Sequence, residues 1–203
     1  MYHFTIPMAL MDFLPVFFFG YAAALLQRDL YGKMRKSHFA LFAAGTINIF
    51  AAGFLKALWK LLYAANICDF HALNTMFLPV QSIGFLLAGL GIVLMMAGRK
   101  NAALAVAPPF FSGSVIFIMM MVLGLGSICT VLSILAVKLK MKYAAMLFIL
   151  AFLCSMGMGA MAGQDTTLAW VNWVEQGINC VGQGLLMWGV IVLDRAGLQE
   201  LTI

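Results

Sequence analysis

Apolar residues run along this chain in long blocks broken by short polar or charged stretches. The blocks are the length of membrane-spanning helices, about 20 residues each. A first span is predicted from Met8 to Gln27, closed by Arg28 and a loop carrying Lys33, Arg35 and Lys36. A second covers His38 to Tyr63 and is followed by a short segment with Asp69 and His71; a third runs from Asn74 to Gly98 and ends at Arg99 and Lys100. The stretch from Asn101 to Val137 contains no charge at all and closes at Lys138, Lys140 and Lys142. One helix from Phe110 to Val137 would be about 42 Å long, against a hydrocarbon core of about 30 Å. The stretch is therefore divided at Gly124-Leu125-Gly126-Ser127 into spans from Ala107 to Leu123 and from Ile128 to Lys142, with Pro108 and Pro109 in the first turn, where a missing donor costs least. Spans from Tyr143 to Gly163 and from Leu168 to Leu193 complete the set, the last ending at Asp194 and Arg195.

The expected fold is thus an all-α polytopic bundle forming one transmembrane domain over residues 1–203, with seven helices, or six as the alternative, and the N-terminus outside. Charge decides between the counts. With seven spans, Arg28, Lys33, Arg35, Lys36, Arg99, Lys100, Lys138, Lys140, Lys142 and Arg195 all face the cytoplasm, leaving Lys56 and Lys60 elsewhere; with six, Lys138, Lys140, Lys142 and Arg195 move outside, against the positive-inside rule. Trp59, Trp170 and Trp173 then lie toward the outer interface as an aromatic belt.

Composition agrees. Of 203 residues, 65% are hydrophobic and 9% charged, and mean hydropathy is +1.04, far from the roughly half apolar and quarter charged make-up of a soluble domain. The net charge of +5 is read as topology and gives no support to nucleic-acid binding. The expected location is the cell membrane. Met1 to Leu10 has no basic n-region of a secretory signal and is expected to stay in the mature protein. Cys68, Cys129, Cys154 and Cys180 have no CxxC or zinc spacing and are read as buried thiols.

The layout repeats: three spans from Met8 to Lys100, a linker helix, and three from Ile128 to Arg195. Aligning Pro79–Leu94 with Val174–Gly189 pairs Gln81 with Gln176, Ile83 with Ile178, Gly89 with Gly184 and Leu90 with Leu185. This 3+1+3 order is similar to the parallel-repeat layout of SWEET-type transporters, without a family motif to accompany it, and fold likeness does not fix function.

The sharpest chemical signal is in the last span. Asn172, Glu175, Gln176, Asn179 and Gln183 follow helical spacing and share one face. Lipid cannot satisfy that face, and ionisable groups at such depth normally point inward and mark function. Amides alone are more often interhelical glue worth about 0.6–2 kcal/mol each; Glu175 needs a partner, a cation or a proton. At 1.5 Å per residue, Asp12, Lys56, Gln81 and Glu175 fall at about 22–27 Å from the cytoplasmic ends of their helices, a shared level in the outer third of the membrane. Asp12 is expected to pair with Lys56, and Lys60 to snorkel into headgroups.

Other features are read conservatively. Pro15 and Pro79 lie inside spans one and three, and Ser155, Gly159 and Gly163 form a small-residue packing seam. Cys154, Met158 and Met161 are chiefly packing residues rather than a copper face. The histidines lack zinc spacing, no cofactor or metal is expected, and no P-loop or GxSxG occurs. A retinal lysine is absent from the last span.

The resulting expectation is a transporter or carrier-like protein, not an enzyme, that binds a small polar or cationic solute in an outward-facing pocket. Glu175, Gln176, Asn179, Asn172, Gln81, Lys56 and Asp12 are the binding residues, and the lipid bilayer and a small-molecule solute are the partners. The alternative is a seven-helix sensor or accessory subunit without transport, and a homo-oligomer or membrane partner stays open. An intramembrane enzyme using Asp12, Glu175 and Lys56 ranks last, since no nucleophile or metal set accompanies them.

Overall fold

A computed structural model describes residues 4–97, 114–161 and 169–202. It is all-α: α1 (Ile6–Met11), α2 (Phe13–Leu30), α3 (Lys36–Ala64), α4 (Ala72–Thr75), α5 (Phe77–Met96), α6 (Ser114–Lys138), α7 (Lys142–Met161) and α8 (Ala169–Arg195), with a 3-10 turn over Leu198–Glu200. Six helices are long and apolar enough to cross a membrane, α1 with α2 and α4 with α5 each counting as one. The chain is therefore a multi-pass membrane protein.

Proline explains the two interruptions. Pro15 cannot donate to the carbonyl of Met11, nor Pro79 to that of Thr75; each is the third residue of the longer helix, α2 or α5, and a short helix precedes it. The breaks fall at Asp12 and Met76.

The expected turn at Gly124–Ser127 is not present: α6 runs unbroken from Ser114 to Lys138, so the separate spans Ala107–Leu123 and Ile128–Lys142 are corrected to one helix over their described part. Residues 107–113 of the former lie outside the described residues. Gly124 is a packing residue. A Cβ on Gly89 would sit 2.6 Å from the Gly124 carbonyl oxygen, and one on Gly124 would collide with the Phe85 carbonyl. The backbones of α5 and α6 touch there because neither has a side chain in the way, the usual device where no hydrophobic drive brings helices together. Gly84 sits against Gly45 and Ile49 of α3 in the same manner.

Neighbour contacts fix the direction of every helix. Gly20 meets Phe50 and Gly53 meets Val16, so α2 and α3 are antiparallel; Gly84 meets Ile49 and Gly91 meets Phe42, so α3 and α5 are too. Ser133 Oγ donates to the Ala145 carbonyl across the tight α6–α7 loop, and Gly182 and Gly189 of α8 meet Cys154 and Phe148 of α7. Between α8 and α2 the match is parallel: Gln176 with Met8, Gly184 with Phe18, Asp194 with Arg28. The helices thus form a ring, α2–α3–α5–α6–α7–α8 and back to α2. In it α2, α5, α6 and α8 run one way, and α3 and α7 the other.

Two consequences follow. Arg28, Lys33, Arg35, Lys36, Lys138, Lys140, Lys142 and Arg195 all lie at one end, the basic end, whereas Lys56 and Lys60 lie in the opposite half. And because α5 ends at the basic end while the parallel α6 begins at the other, the termini flanking residues 98–113 lie about 25 Å apart along the bundle axis, counting from the Gly89–Gly124 contact.

The ring is also two matched triplets. The buried residues Phe19, Ala22, Ala23, Leu26, Asp29 and Leu30 of α2 correspond in order and spacing to buried Leu125, Ile128, Cys129, Leu132, Leu135 and Ala136 of α6. Phe42, Thr46 and Ile49 of α3 correspond likewise to Ala144, Phe148 and Ala151 of α7. Gly84, Ala88, Gly91, Ile92 and Met95 of α5 match Gly182, Leu186, Gly189, Val190 and Leu193 of α8. This register is about one turn from the alignment of Pro79–Leu94 with Val174–Gly189, and pairs Gln81 with Asn179 rather than with Gln176. The core they enclose toward the basic end is apolar, centred on Phe19, Phe85, Leu125, Leu132, Leu186 and Leu193.

Among the other expectations, Trp170 and Trp173 are exposed on α8 as an outer belt requires, but Trp59 is 1% exposed and donates through Nε1 to Asp69 at 2.9 Å. Cys68 is exposed in the α3–α4 loop, so the thiols are not all buried. The small-residue seam is not a close contact at Gly159, where an added Cβ would meet nothing among the described residues; Gly163 lies outside them.

Replacing Gly124 by Val is expected to destabilise the bundle by about 1–3 kcal/mol through overpacking against Phe85, whereas Gly126→Ala, where a Cβ meets only the Phe152 ring at 3.4 Å, is expected to be neutral or slightly stabilising. Unfolding midpoints of the two variants in detergent micelles test the difference; equal midpoints would remove the α5–α6 contact as a structural determinant.

Candidate functional site in the half opposite the basic end

The α1–α2 break at Pro15 leaves Asp12 at the junction, facing α3. Its Oδ2 lies 2.7 Å from Nζ of Lys60, with side chains 15% and 10% exposed. The expected Asp12–Lys56 pair is thereby corrected, and Lys60 is a buried ion-pair partner, not a snorkelling one. Lys60 lies one helical turn nearer the C-terminal end of α3 than Lys56, at the level of the α1–α2 junction. Phe4 packs over the Lys60 ammonium at 5.1 Å and edge-on against Trp59 and Tyr63, roofing the pair with aromatic rings.

Lys56, one turn below, points toward α5 instead: its Nζ lies 3.9 Å from the centroid of the Phe77 ring. It is within Coulombic reach of Lys60, Asp12 and Glu175 without a salt bridge to either acid. An ammonium over a ring face gains about 0.5–2 kcal/mol, depending on how far it is desolvated.

From the other side comes the polar stripe of α8. Asn172 and Gln176 are buried, Glu175, Asn179 and Gln183 partly so, and they share the face turned into the ring. Gln176 Nε2 donates to the Met8 carbonyl at 3.1 Å, tying α8 to α1. Its Oε1 is buried without a hydrogen-bond partner, and so are Oε1 of Gln183 and Oε1 of Gln81 on α5. Gln81 lies one turn below Phe77 on the inward face of its helix. The sequence-derived residues therefore gather in one half of the bundle. Asp12 and Lys60 form a closed pair at its edge; Lys56, Glu175 and the amides are left with charge and acceptor capacity.

Two open lateral grooves lie elsewhere and hold none of the seven. One of about 660 Å3 between α6 and α7 is lined by Gly126, Thr130, Ser133, Ile149 and Phe152. The other, of about 570 Å3 between α2 and α3, is lined by Gly20, Ala24, Gln27, Ile47 and Phe50. They occupy corresponding positions in the two triplets.

Sequence reading missed a second polar centre at the basic end. Asp29 is 2% exposed, accepts from Arg28 at 2.9 Å, and keeps Oδ2 without a partner among the described residues; Arg28 also reaches Asp194, and Lys33 Nζ donates to the Leu201 carbonyl. These contacts fasten α2 to α8. An acid placed directly after Arg28, within an otherwise basic loop, was the available signal.

Asp12→Ala is expected to lower stability by about 3–5 kcal/mol by leaving Lys60 buried and unpaired, and the double replacement with Lys60→Met to recover most of that loss. Additive losses in a double-mutant cycle on thermal or denaturant unfolding would mean that the two groups are not coupled. Comparison of the chain with protein-family models, with curated proteins and with solved structures finds no match, so the functional reading rests on these residues.

Proposed function

We propose that this protein is a solute carrier, and not an enzyme, whose chain crosses the membrane seven times in a 3+1+3 order. In this reading the basic end is cytoplasmic, and the half holding Asp12, Lys56 and Glu175 faces outside. Support for the topology comes from the parallel α5 and α6 and from the collection of eight cations at one end. The solute is small and polar or cationic, and is bound among Glu175, Gln176, Asn179, Asn172, Gln81 and Lys56, with the Asp12–Lys60 pair beside them.

One observation carries the proposal: three glutamine carbonyl oxygens, on α5 and α8, are buried and without partners above an apolar plug. A buried acceptor left unmade costs about 1–3 kcal/mol, a cost that amides serving only to join helices would have removed by bonding to each other. A solute bearing N–H or O–H donors supplies the missing bonds. The plug of Phe19, Phe85 and Leu125, with the Arg28–Asp194 contact beneath it, supports a carrier whose opposite exit is closed.

Two measurements test this reading. Cysteine at position 140, in the described loop at the basic end, is expected to react with a membrane-impermeant maleimide only after the inner face of vesicles is exposed; labelling from outside would reverse the orientation. In proteoliposomes, Glu175→Gln is expected to reduce solute or proton flux by at least about tenfold, the scale of one lost charged contact. Unchanged flux would remove Glu175 from the mechanism.

A further inference from the structure

Among the groups of the polar half, charge is balanced in an uneven way. Asp12 and Lys60 satisfy one another at 2.7 Å. Lys56 and Glu175 do not: they come from α3 and α8, the two helices that flank α2, lie within electrostatic reach of each other, and make no ion pair. A cation-binding site has no use for Lys56, whose ammonium repels a cation, and an anion-binding site has none for Glu175. Both are explained if the ligand carries both charges.

We infer that the solute is a small zwitterion of the α-amino-acid type, its carboxylate held by Lys56 and its ammonium by Glu175 and the unpartnered amide oxygens of Gln81 and Gln176. The inference rests on the carrier reading above and narrows it to a substrate class. Two charge-assisted hydrogen bonds of about 2.8 Å, one at each end of a short solute, join Lys56 and Glu175 through the ligand in place of a direct ion pair. An ammonium has three donors and no acceptor. Glu175 takes one, and the amide oxygens of Gln81 and Gln176, both buried without a hydrogen-bond partner among the described residues, provide for the others. Gln176 supplies the best-defined of these oxygens. It is 6% exposed, and its amide is oriented by donation to the Met8 carbonyl, which leaves Oε1 free to accept. The Phe77 ring meanwhile holds the Lys56 ammonium in place without neutralising it. Inside the pocket the bound complex is neutral overall, so the ligand enters hydrocarbon depth with each of its charges matched.

The test uses the purified full-length protein and its thermal unfolding midpoint as the binding readout, with three matched probes for each standard α-amino acid: the amino acid, its α-amide, which keeps the ammonium alone, and the corresponding deaminated acid, which keeps the carboxylate alone. At least one amino acid is expected to raise the midpoint saturably, with its amide and its deaminated acid each binding at least about tenfold more weakly. Lys56→Gln should bring amino acid and amide to equal affinity, Glu175→Gln should bring amino acid and deaminated acid to equal affinity, and Lys56→Arg should retain the wild-type order. An amide that binds wild type as well as its amino acid overturns the zwitterion and leaves a cation carrier. Failure of every amino acid also overturns it, and ethylamine and choline then decide whether the carrier reading falls with it.

Discussion

A charge held at hydrocarbon depth has to be matched inside the protein, and the Asp12–Lys60 pair is where this chain meets that requirement. The pair joins the α1–α2 junction, three residues before Pro15, to the C-terminal part of α3. Once it is closed, the remaining polar groups are left to one another and to whatever occupies the space between them. Its aromatic roof of Phe4, Trp59 and Tyr63 keeps water from weakening it, and Trp59 in turn anchors the α3–α4 loop through Asp69. The opposite half contains the apolar core. Polarity is therefore divided along the membrane normal, and that division gives the bundle a direction.

Much of the membrane layout was legible because charges mark helix ends. The basic loops after α2 and α6 and the cation at the end of α8 stand where the sequence places them, and the polar face of α8 follows directly from helical spacing. The division of Asn101–Val137 was not legible. Gly124-Leu125-Gly126-Ser127 has the composition of a turn, but inside a helix that is apolar all round, periodicity carries no signal, and the same glycine is required for contact with α5. Lys138, Lys140 and Lys142 fall at the basic end with or without that break, so their placement does not depend on it. Lys56 and Lys60 illustrate a finer limit. They are one turn apart on one face, and spacing alone does not decide which of them Asp12 reaches.

The internal correspondence of the two triplets was nearly invisible in identities because a membrane core constrains size and polarity more than residue type. Cys129 replaces Ala23, Ile128 replaces Ala22, and Leu135 stands where Asp29 stands in the first triplet. What persists is the phase of burial and the sites of backbone approach. Gly84 and Gly91 on α5 match Gly182 and Gly189 on α8, a pairing displaced by about one turn from the one the chance identities suggest. The triplets differ in chemistry more than in shape: both lysines of the polar half and Asp12 belong to the first, whereas the stripe of amides and Glu175 belongs to the second. The polar half therefore draws its lysines from one triplet and most of its amides from the other.

The two seams that join the triplets also differ in kind. Between α5 and α6, glycine backbones lie in contact, and separating them would discard dispersion contacts that lipid chains cannot replace at that distance. Between α2 and α8 the described polar contacts sit at the ends: Gln176 with the Met8 carbonyl at one, Arg28 with Asp194 and Lys33 with the Leu201 carbonyl at the other. Hydrogen bonds of this sort exchange for water or for a solute at small net cost, about 0.5–1.5 kcal/mol each. The glycine seam is thus held by dispersion between backbones and the α2–α8 seam by polar contacts at its two ends, so the two edges of the ring resist separation by different means.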